Sequence, residues 1–251
     1  MLKSIKILDI VDIAKSAGDI IMKIYEKDFS VSYKDDNSPL TEADLKSNDL
    51  IVEALKKYNL PIMSEEMQIP SFQDRKDWEY YWCIDPIDGT KEFVKKNGEF
   101  TVNIALIHKS KPVLGVVYAP VLDDIYYAKQ GEGAFKNGVK LPLIVNKTPQ
   151  ISLKLAVSRS HLSHETKVFI KEIEKTTKNL TLISKGSSLK LVMVAEGSVD
   201  IYPRMAPTME WDTAAAHAIV LESDKDIFNY HTNISIIYNK KDLLNPWFIV
   251  R

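Results

Sequence analysis

Ile7, Ile10, Val11, Ala14, Ala17, Ile21 and Ile24 recur at steps of three and four residues. That spacing lines one face of an α-helix, so the pattern predicts a first helix over 7–24. A short alternating segment, Phe29, Val31 and Tyr33, leads into the turn-forming stretch Asp35-Asp36-Asn37-Ser38-Pro39. A second helix is expected from about Thr41 to Tyr58. Two apolar runs follow, Leu60 to Met63 and Tyr80 to Ile84, and both read as strands that end in acids. Glu65-Glu66 come soon after the first and Asp85 directly after the second. From Phe100 to about Val145 strands dominate, with Gly131, Gly133 and Gly138 marking turns. Beyond that, strand and helix patterns alternate. Leu153 to Val157, Leu180 to Ile183 and Val199 to Tyr202 read as strands. Glu165 to Lys178, Leu189 to Glu196 and Asp212 to Leu221 read as helices. The expected class is α/β, an α+β first half and an α/β second half packed in layers. A boundary near 146–150 divides the chain into subdomains 1–147 and 148–251.

Length agrees with this division, since 251 residues make one to two domains at about 150 residues each. The formal net charge is −1, which gives no basic excess of the kind that marks a nucleic-acid or anionic-membrane surface. No apolar stretch reaches the ~18 residues of a membrane span. The first residues lack an apolar signal core, so a cytoplasmic protein is expected. Cys83 is the only cysteine. It sits within the apolar run Tyr80-Tyr81-Trp82-Cys83-Ile84 and reads as an inert core thiol.

Candidate chemistry centres on Ile84-Asp85-Pro86-Ile87-Asp88-Gly89-Thr90. Two carboxylates flank a proline that fixes its own φ and holds a turn open. Together with the carbonyl of Ile87 they suit a hard cation such as Mg²⁺. Gly89 and Thr90 then lead into a helix-compatible stretch, where glycine lets a phosphate approach the backbone and free N–H groups hold it. Asp, Pro and Gly are also ordinary turn residues, and the other acids have ordinary readings too. Glu65-Glu66 fits a solvated surface pair, Asp44 a capping box with Thr41, and Asp212 an acid at a helix start. As a set, several acids stand at element ends, and their mutual repulsion calls for cations. Only four of 33 basic residues are arginine: Arg75, Arg159, Arg204 and Arg251. The planar fork of arginine suits phosphate or carboxylate.

At these residues the chain resembles the lithium-sensitive, Mg²⁺-dependent phosphatase superfamily of inositol monophosphatases and fructose bisphosphatases. The resemblance runs from Ser38–Thr41 through Glu65 and Asp85–Thr90 to Trp211-Asp212. Within the superfamily it is most similar to the bacterial 3′(2′),5′-bisphosphate nucleotidases. That closer likeness is carried by Trp82–Phe93, Asn97–Ala105, Ser158-Arg159-Ser160-His161, Gly186–Lys190, Tyr202-Pro203-Arg204 and Asp212–Ala218. The resemblance implies a layered α-β-α-β-α sandwich and two or three Mg²⁺ ions per site, with Mn²⁺ able to substitute. It implies that Glu65, Asp85 and the Ile87 carbonyl hold one ion, and that Asp85, Asp88 and Asp212 hold a second. By the same likeness, Asp44 and Thr90 orient and deprotonate the attacking water. Gly89 and Thr90 bind the departing phosphate, and His161, Ser187, Lys190 and Arg204 contact the rest of the nucleotide. The implied reaction is hydrolysis of 3′-phosphoadenosine 5′-phosphate to AMP and phosphate, in sulfur assimilation or nucleotide recycling. Alternatives are an inositol monophosphatase or other small phosphomonoesterase of the same superfamily, and a non-catalytic metal or nucleotide sensor. One departure stands out: the family usually carries a glycine pair after the helix of Asp212, whereas this chain reads Leu221-Glu222-Ser223-Asp224-Lys225-Asp226.

Overall fold

A computed structural model describes residues 1–34, 38–144, 152–160, 162–177 and 179–251. The expected boundary near 146–150 and much of the turn before Pro39 lie outside the described residues. In chain order the elements are α1 (Ile7–Tyr25), β1 (Val31–Tyr33), β2 (Pro39–Thr41), α2 (Glu42–Leu55), β3 (Ile62–Ser64), α3 (Phe72–Arg75), β4 (Tyr80–Asp88) and α4 (Thr90–Val94). Then come β5 (Thr101–His108), β6 (Lys111–Ala119), β7 (Asp124–Lys129), β8 (Gly133–Lys136) and β9 (Val139–Lys140). The second half holds β10 (Ser152–Ser158), α5 (His164–Thr176), β11 (Asn179–Lys185), α6 (Leu189–Glu196), β12 (Tyr202–Arg204), α7 (Glu210–Leu221), β13 (Ile227–Asn229) and β14 (Phe248–Val250).

Strands β3 to β9 form one seven-stranded sheet in sequence order. Only its β3–β4 pair is parallel. The period-two alternation of β4 and β5 presents two apolar faces. Trp82, Ile84, Ile104 and Leu106 pack against α1 and α2, while Cys83, Ala105 and Ile107 pack against α6 and α7. Helix α7 belongs to the second half of the chain, so the two halves share this core. On the far side of α6 lie β10 and β11, a parallel pair. A bridge from Leu155 to Ile201 joins them to the sheet β12-β14-β13. Helix α5 covers the β10–β11 pair through Ile170 against Leu155 and Val157 of β10. The layers are therefore α-β-α-β-α. No described helix is long and apolar enough to cross a membrane.

The motif around Asp85 differs from the expected turn. Strand β4 runs on through Pro86 to Asp88. Asp85 pairs with Asn103 and Asp88 with Thr101, so Pro86 and Ile87 together oppose Val102 alone. This is a β-bulge, placed where proline has no N–H to give the ladder. In a regular strand, residues three apart face opposite sides. The extra residue resets the phase, and Asp85 and Asp88 come to the same face. The expected strand over Val199 to Tyr202 is also shifted, to Tyr202–Arg204. The β13–β14 pairing at the C-terminus has no counterpart in the hydrophobic pattern.

Asp224 solves the missing glycine pair. It takes φ 58°, the left-handed conformation a glycine would supply. Glu222 accepts hydrogen bonds from the N–H groups of Gly131 and Gly133 at 3.0 and 2.9 Å. This ties the turn after α7 to the β7–β8 hairpin.

Candidate active site

The bulge of β4, the end of β3 and the start of α7 bring their acids together. Carboxylate oxygens of Glu65, Asp85 and Asp212 all lie within 4.8 Å of one another. The N–H of Glu65 donates to the Ile84 carbonyl, continuing the β3–β4 ladder and fixing Glu65 beside Asp85. Asp212 is held by the Met209 N–H, which donates to its Oδ2 at 2.8 Å. Asp88 stands on the same face and joins Asp212 through Ser188. The Ser188 hydroxyl lies 2.7 Å from Asp88 Oδ2 and 2.7 Å from the Asp212 carbonyl.

Electrostatics confirm that these acids are crowded. Burial first, then the neighbouring charges of Glu65, Asp88 and Asp212, hold Asp85 well above the usual carboxylate range. Asp212 is likewise pushed well up by burial and by Asp88 and Glu65. Asp88 is raised by burial, against the Ser188 hydrogen bond and the charge of Lys190. An all-oxygen donor set under this repulsion fits a hard divalent cation. Lys34 supplies part of the balancing charge, its Nζ lying 2.9 Å from Glu65 Oε1 and 2.6 Å from Glu66 Oε1.

Asp44 caps α2, as its spacing predicts. The N–H and hydroxyl of Thr41 donate to its Oδ2 at 2.8 and 2.6 Å. Its other oxygen, Oδ1, accepts from Thr90 Oγ1 at 3.2 Å. That hydroxyl also lies 3.2 Å from the Ile87 carbonyl. Capping and site geometry therefore use the two sides of one carboxylate. Burial raises Asp44, against the hydrogen bonds from Thr41 and Thr90.

A cavity of about 590 Å³ opens over these groups, lined among others by Glu65, Asp85, Ile87, Asp88, Gly89, Thr90, Ser187, Lys190, Arg204 and Asp212. Gly89 adopts φ 94°, and a Cβ there would stand 3.1 Å from the Glu99 carbonyl. Gly186 is tighter still: an added Cβ would meet the Glu99 carbonyl at 2.7 Å. These glycines let the Asp88–Thr90 segment and the loop before α6 pack back to back. Glu99 secures that contact. It accepts from Arg159 Nε and Nη2 at 2.7 and 2.8 Å and from the Gly186 N–H at 2.8 Å. The fork of Arg159 thus serves a protein carboxylate.

Lys190 is almost wholly buried and donates to the Ser187 carbonyl at 2.7 Å. Burial, reinforced by Arg204, lowers its pKa to about 8 despite the charge of Asp88. The Ser187 hydroxyl and Arg204 Nε are buried and find no hydrogen-bond partner among the described residues. Both belong to residues that line the cavity. His161 lies outside the described residues. Cys83 is buried in the core, where burial pushes its thiol well up, which excludes a thiolate nucleophile. Three residues to which the motif reading gave no role belong to this arrangement: Lys34, and Ser188 and Asn103 from within the quoted motifs. Asn103 carried a signal, because it and Thr101 are polar residues in an otherwise apolar alternation.

The chain resembles known proteins over nearly its whole length. It is 42% identical over 247 residues to the 3′(2′),5′-bisphosphate nucleotidase CysQ of Salmonella typhimurium, covering 95% of this chain and 96% of that protein. The Escherichia coli K12 protein of the same name is 41% identical over the same shares. The crystal structure of CysQ from Bacteroides thetaiotaomicron superimposes with a TM-score of 0.89 at 42% identity, covering 97% of this chain and 95% of that one. The fold is also that of the Thermotoga maritima IMPase, at a TM-score of 0.78 and 25% identity, covering 96% and 89% of the two chains. Residues 5–246 match the sequence pattern of one family, and the chain is a member of it, the inositol monophosphatase family.

Proposed function

We propose that this chain is a 3′(2′),5′-bisphosphate nucleotidase that hydrolyses the 3′-phosphate of 3′-phosphoadenosine 5′-phosphate to AMP and phosphate. The family is metal-dependent. The observation that carries the reading is one cavity with the crowded acids Glu65, Asp85 and Asp212 together with the cations Lys190 and Arg204. A substrate with two phosphates needs both kinds of group. The close kinship with bisphosphate nucleotidases over almost the full chain supports the same substrate.

Glu65, Asp85 and the Ile87 carbonyl would hold one Mg²⁺, and Asp85, Asp88 and Asp212 a second, in a site for two or three ions where Mn²⁺ can substitute. When bound, such ions supply Lewis acidity that lowers the pKa of a water and neutralises charge on the phosphoryl oxygens. The protein's own residues position and move the proton. Thr41 pins one oxygen of Asp44, leaving the other to accept from Thr90. A water taking up the Thr90 hydroxyl's lone pair passes its proton through Thr90 to Asp44. A carboxylate raised by burial is a better base than a free one. Gly89 and Thr90 present N–H groups at the start of α4 to the departing phosphate. Ser187, Lys190 and Arg204 take the remainder of the nucleotide, with His161 as a further contact. The two subdomains, 1–147 and 148–251, meet at this cavity, and the enzyme works in the cytoplasm on a small soluble substrate.

Phosphate release by the purified protein tests the reading. 3′-Phosphoadenosine 5′-phosphate, inositol 1-phosphate and fructose 1,6-bisphosphate would be compared, each with Mg²⁺ and with EDTA. Metal-dependent preference for the nucleotide is expected. Preference for inositol or fructose phosphate would overturn the substrate assignment and leave the metal site.

A further inference from the structure

Serine at a helix N-cap ordinarily accepts a hydrogen bond from the first turn of its own helix. Ser188 is the N-cap of α6, yet its side chain makes no cap bond. The hydroxyl turns inward instead and meets three elements at once. It lies 2.7 Å from Asp88 Oδ2 on β4 and 2.7 Å from the Asp212 carbonyl on α7. It also accepts from Asn103 Nδ2 on β5 at 2.9 Å. Asn103 Oδ1 in turn accepts from Thr101 Oγ1 at 3.1 Å. Ser188, Asn103 and Thr101 are all essentially inaccessible to solvent.

The proton count fixes the direction of this chain. A hydroxyl has one hydrogen to give. The Asp88 carboxylate and the Asp212 carbonyl both accept, so the two 2.7 Å contacts share that single hydrogen. Asn103 therefore presents its NH₂ to Ser188, since the opposite orientation of the amide would set a third acceptor against that one hydrogen. The amide of Asn103 thus acts as a rotor lock, confining the Ser188 hydrogen to the two acidic residues.

We propose that Ser188 is a positioning residue of the phosphatase: locked by Asn103, it holds the Asp88 carboxylate against the start of α7, so that Asp88 and Asp212 face one divalent cation. The assignment rests on the reading of Asp88 and Asp212 as ligands of the second ion. Glu65 and the Ile87 carbonyl, which complete the first, make no contact with Ser188 among the hydrogen bonds of the described residues. The role is therefore specific to one ion.

The test is Mn²⁺ titration of the full-length protein without substrate, followed by calorimetry and by electron paramagnetic resonance. Wild type, S188A, N103A and D88N would be compared, with melting temperatures measured in EDTA. S188A is expected to weaken one class of bound Mn²⁺ about tenfold, the usual scale for a residue that orients a ligand, and to leave the other within about twofold. N103A should act on the same class by a smaller factor. In turnover, S188A lowers kcat at limiting metal and recovers as Mg²⁺ is raised, with KM for the nucleotide unchanged. Equal weakening of both classes in S188A would make its effect one of general packing and overturn the proposal. So would a titration of S188A that matches wild type while D88N loses one class, an outcome that leaves the metal assignment standing. A D88N protein that titrates like wild type would instead overturn the metal assignment beneath it.

Discussion

Replacing Asp212 by asparagine removes one charge from the acidic cluster while leaving an oxygen to accept the Met209 N–H. One of its carboxylate oxygens lies within 4.8 Å of an oxygen of Glu65 and of Asp85. At an effective dielectric constant of about 20, each ionised pair at such a distance repels by about 3 kcal/mol. The metal-free protein need not bear the full sum, because a proton can bind instead. Protonating a carboxylate at pH 7 costs about 4 kcal/mol, which caps the strain that Asp212 imposes. The D212N protein in EDTA should therefore be more stable than wild type by roughly 2–4 kcal/mol. For a chain of this size that is a rise in melting temperature of roughly 5–10 °C.

The sign of the pH dependence follows from the same cause. Asp85 and Asp212 bind protons more tightly folded than unfolded, because burial and neighbouring acids raise them well above 3.8. In metal-free wild type the stability these two acids contribute is fully present below about pH 4 and is lost as pH rises through the raised folded values, by about 1.4 kcal/mol per pH unit for each proton involved. D212N should show a shallower slope. Mg²⁺ reverses the ranking: it should raise the melting temperature of wild type markedly and that of D212N far less, since only binding to the folded form stabilises. Differential scanning fluorimetry across pH 4–8, with EDTA and with Mg²⁺, reads every part of this. A D212N protein that melts at or below wild type in EDTA at pH 7, or gains as much from Mg²⁺, would refute the reasoning.

Thr90→Val keeps the shape of the side chain but breaks the Thr90–Asp44 contact, so kcat should fall about 10²-fold or more with KM nearly unchanged in steady-state phosphate release. Burial holds Lys190 at about 8, and its charge is lost as pH climbs through that value. KM for the bisphosphate nucleotide should accordingly rise above pH 8 in wild type but not in K190R, as shown by KM profiles from pH 6 to 9.5. Gly186→Ala drives a Cβ against the Glu99 carbonyl and the Glu92 side chain. A stability loss of about 1–3 kcal/mol should appear in urea melts, with activity falling further because the Ser188 loop shifts.

Local periodicity carried most of the fold, because the long helices and the central strands each bury a face wide enough to leave a repeat in the chain. Helix α6 occupies the expected Leu189–Glu196, and α1 extends its seven apolar marks by one residue, to Tyr25. Strands of three residues such as β13 and β14 leave no such repeat. They exist because distant segments pair with each other. The acids were legible as a set but their mode of convergence was not. Asp-Pro-Ile-Asp-Gly has the composition of a turn, and whether it turns or bulges depends on β5, which supplies the partners Asn103 and Thr101.

The turn after α7 makes the same point from the other side. A glycine pair is a local solution to a chain that must reverse in the left-handed region, and its absence looks like a defect when read locally. Here Asp224 accepts φ 58°, a conformation that costs a non-glycine residue roughly 1 kcal/mol. The turn is over-determined by contacts from elsewhere. Glu222 binds two backbone N–H groups of the β7–β8 hairpin. The Ser223 hydroxyl donates to the Ile219 carbonyl at 2.8 Å. Asp226 accepts from the N–H of Arg251 and gives its own N–H to the carbonyl of the same residue. Such tertiary bonds outweigh a strain of that size, so the loop keeps its course and α7 keeps Asp212 aimed at the cluster. Motif departures matter to the site only where they break the contacts that position its acids, and this one does not.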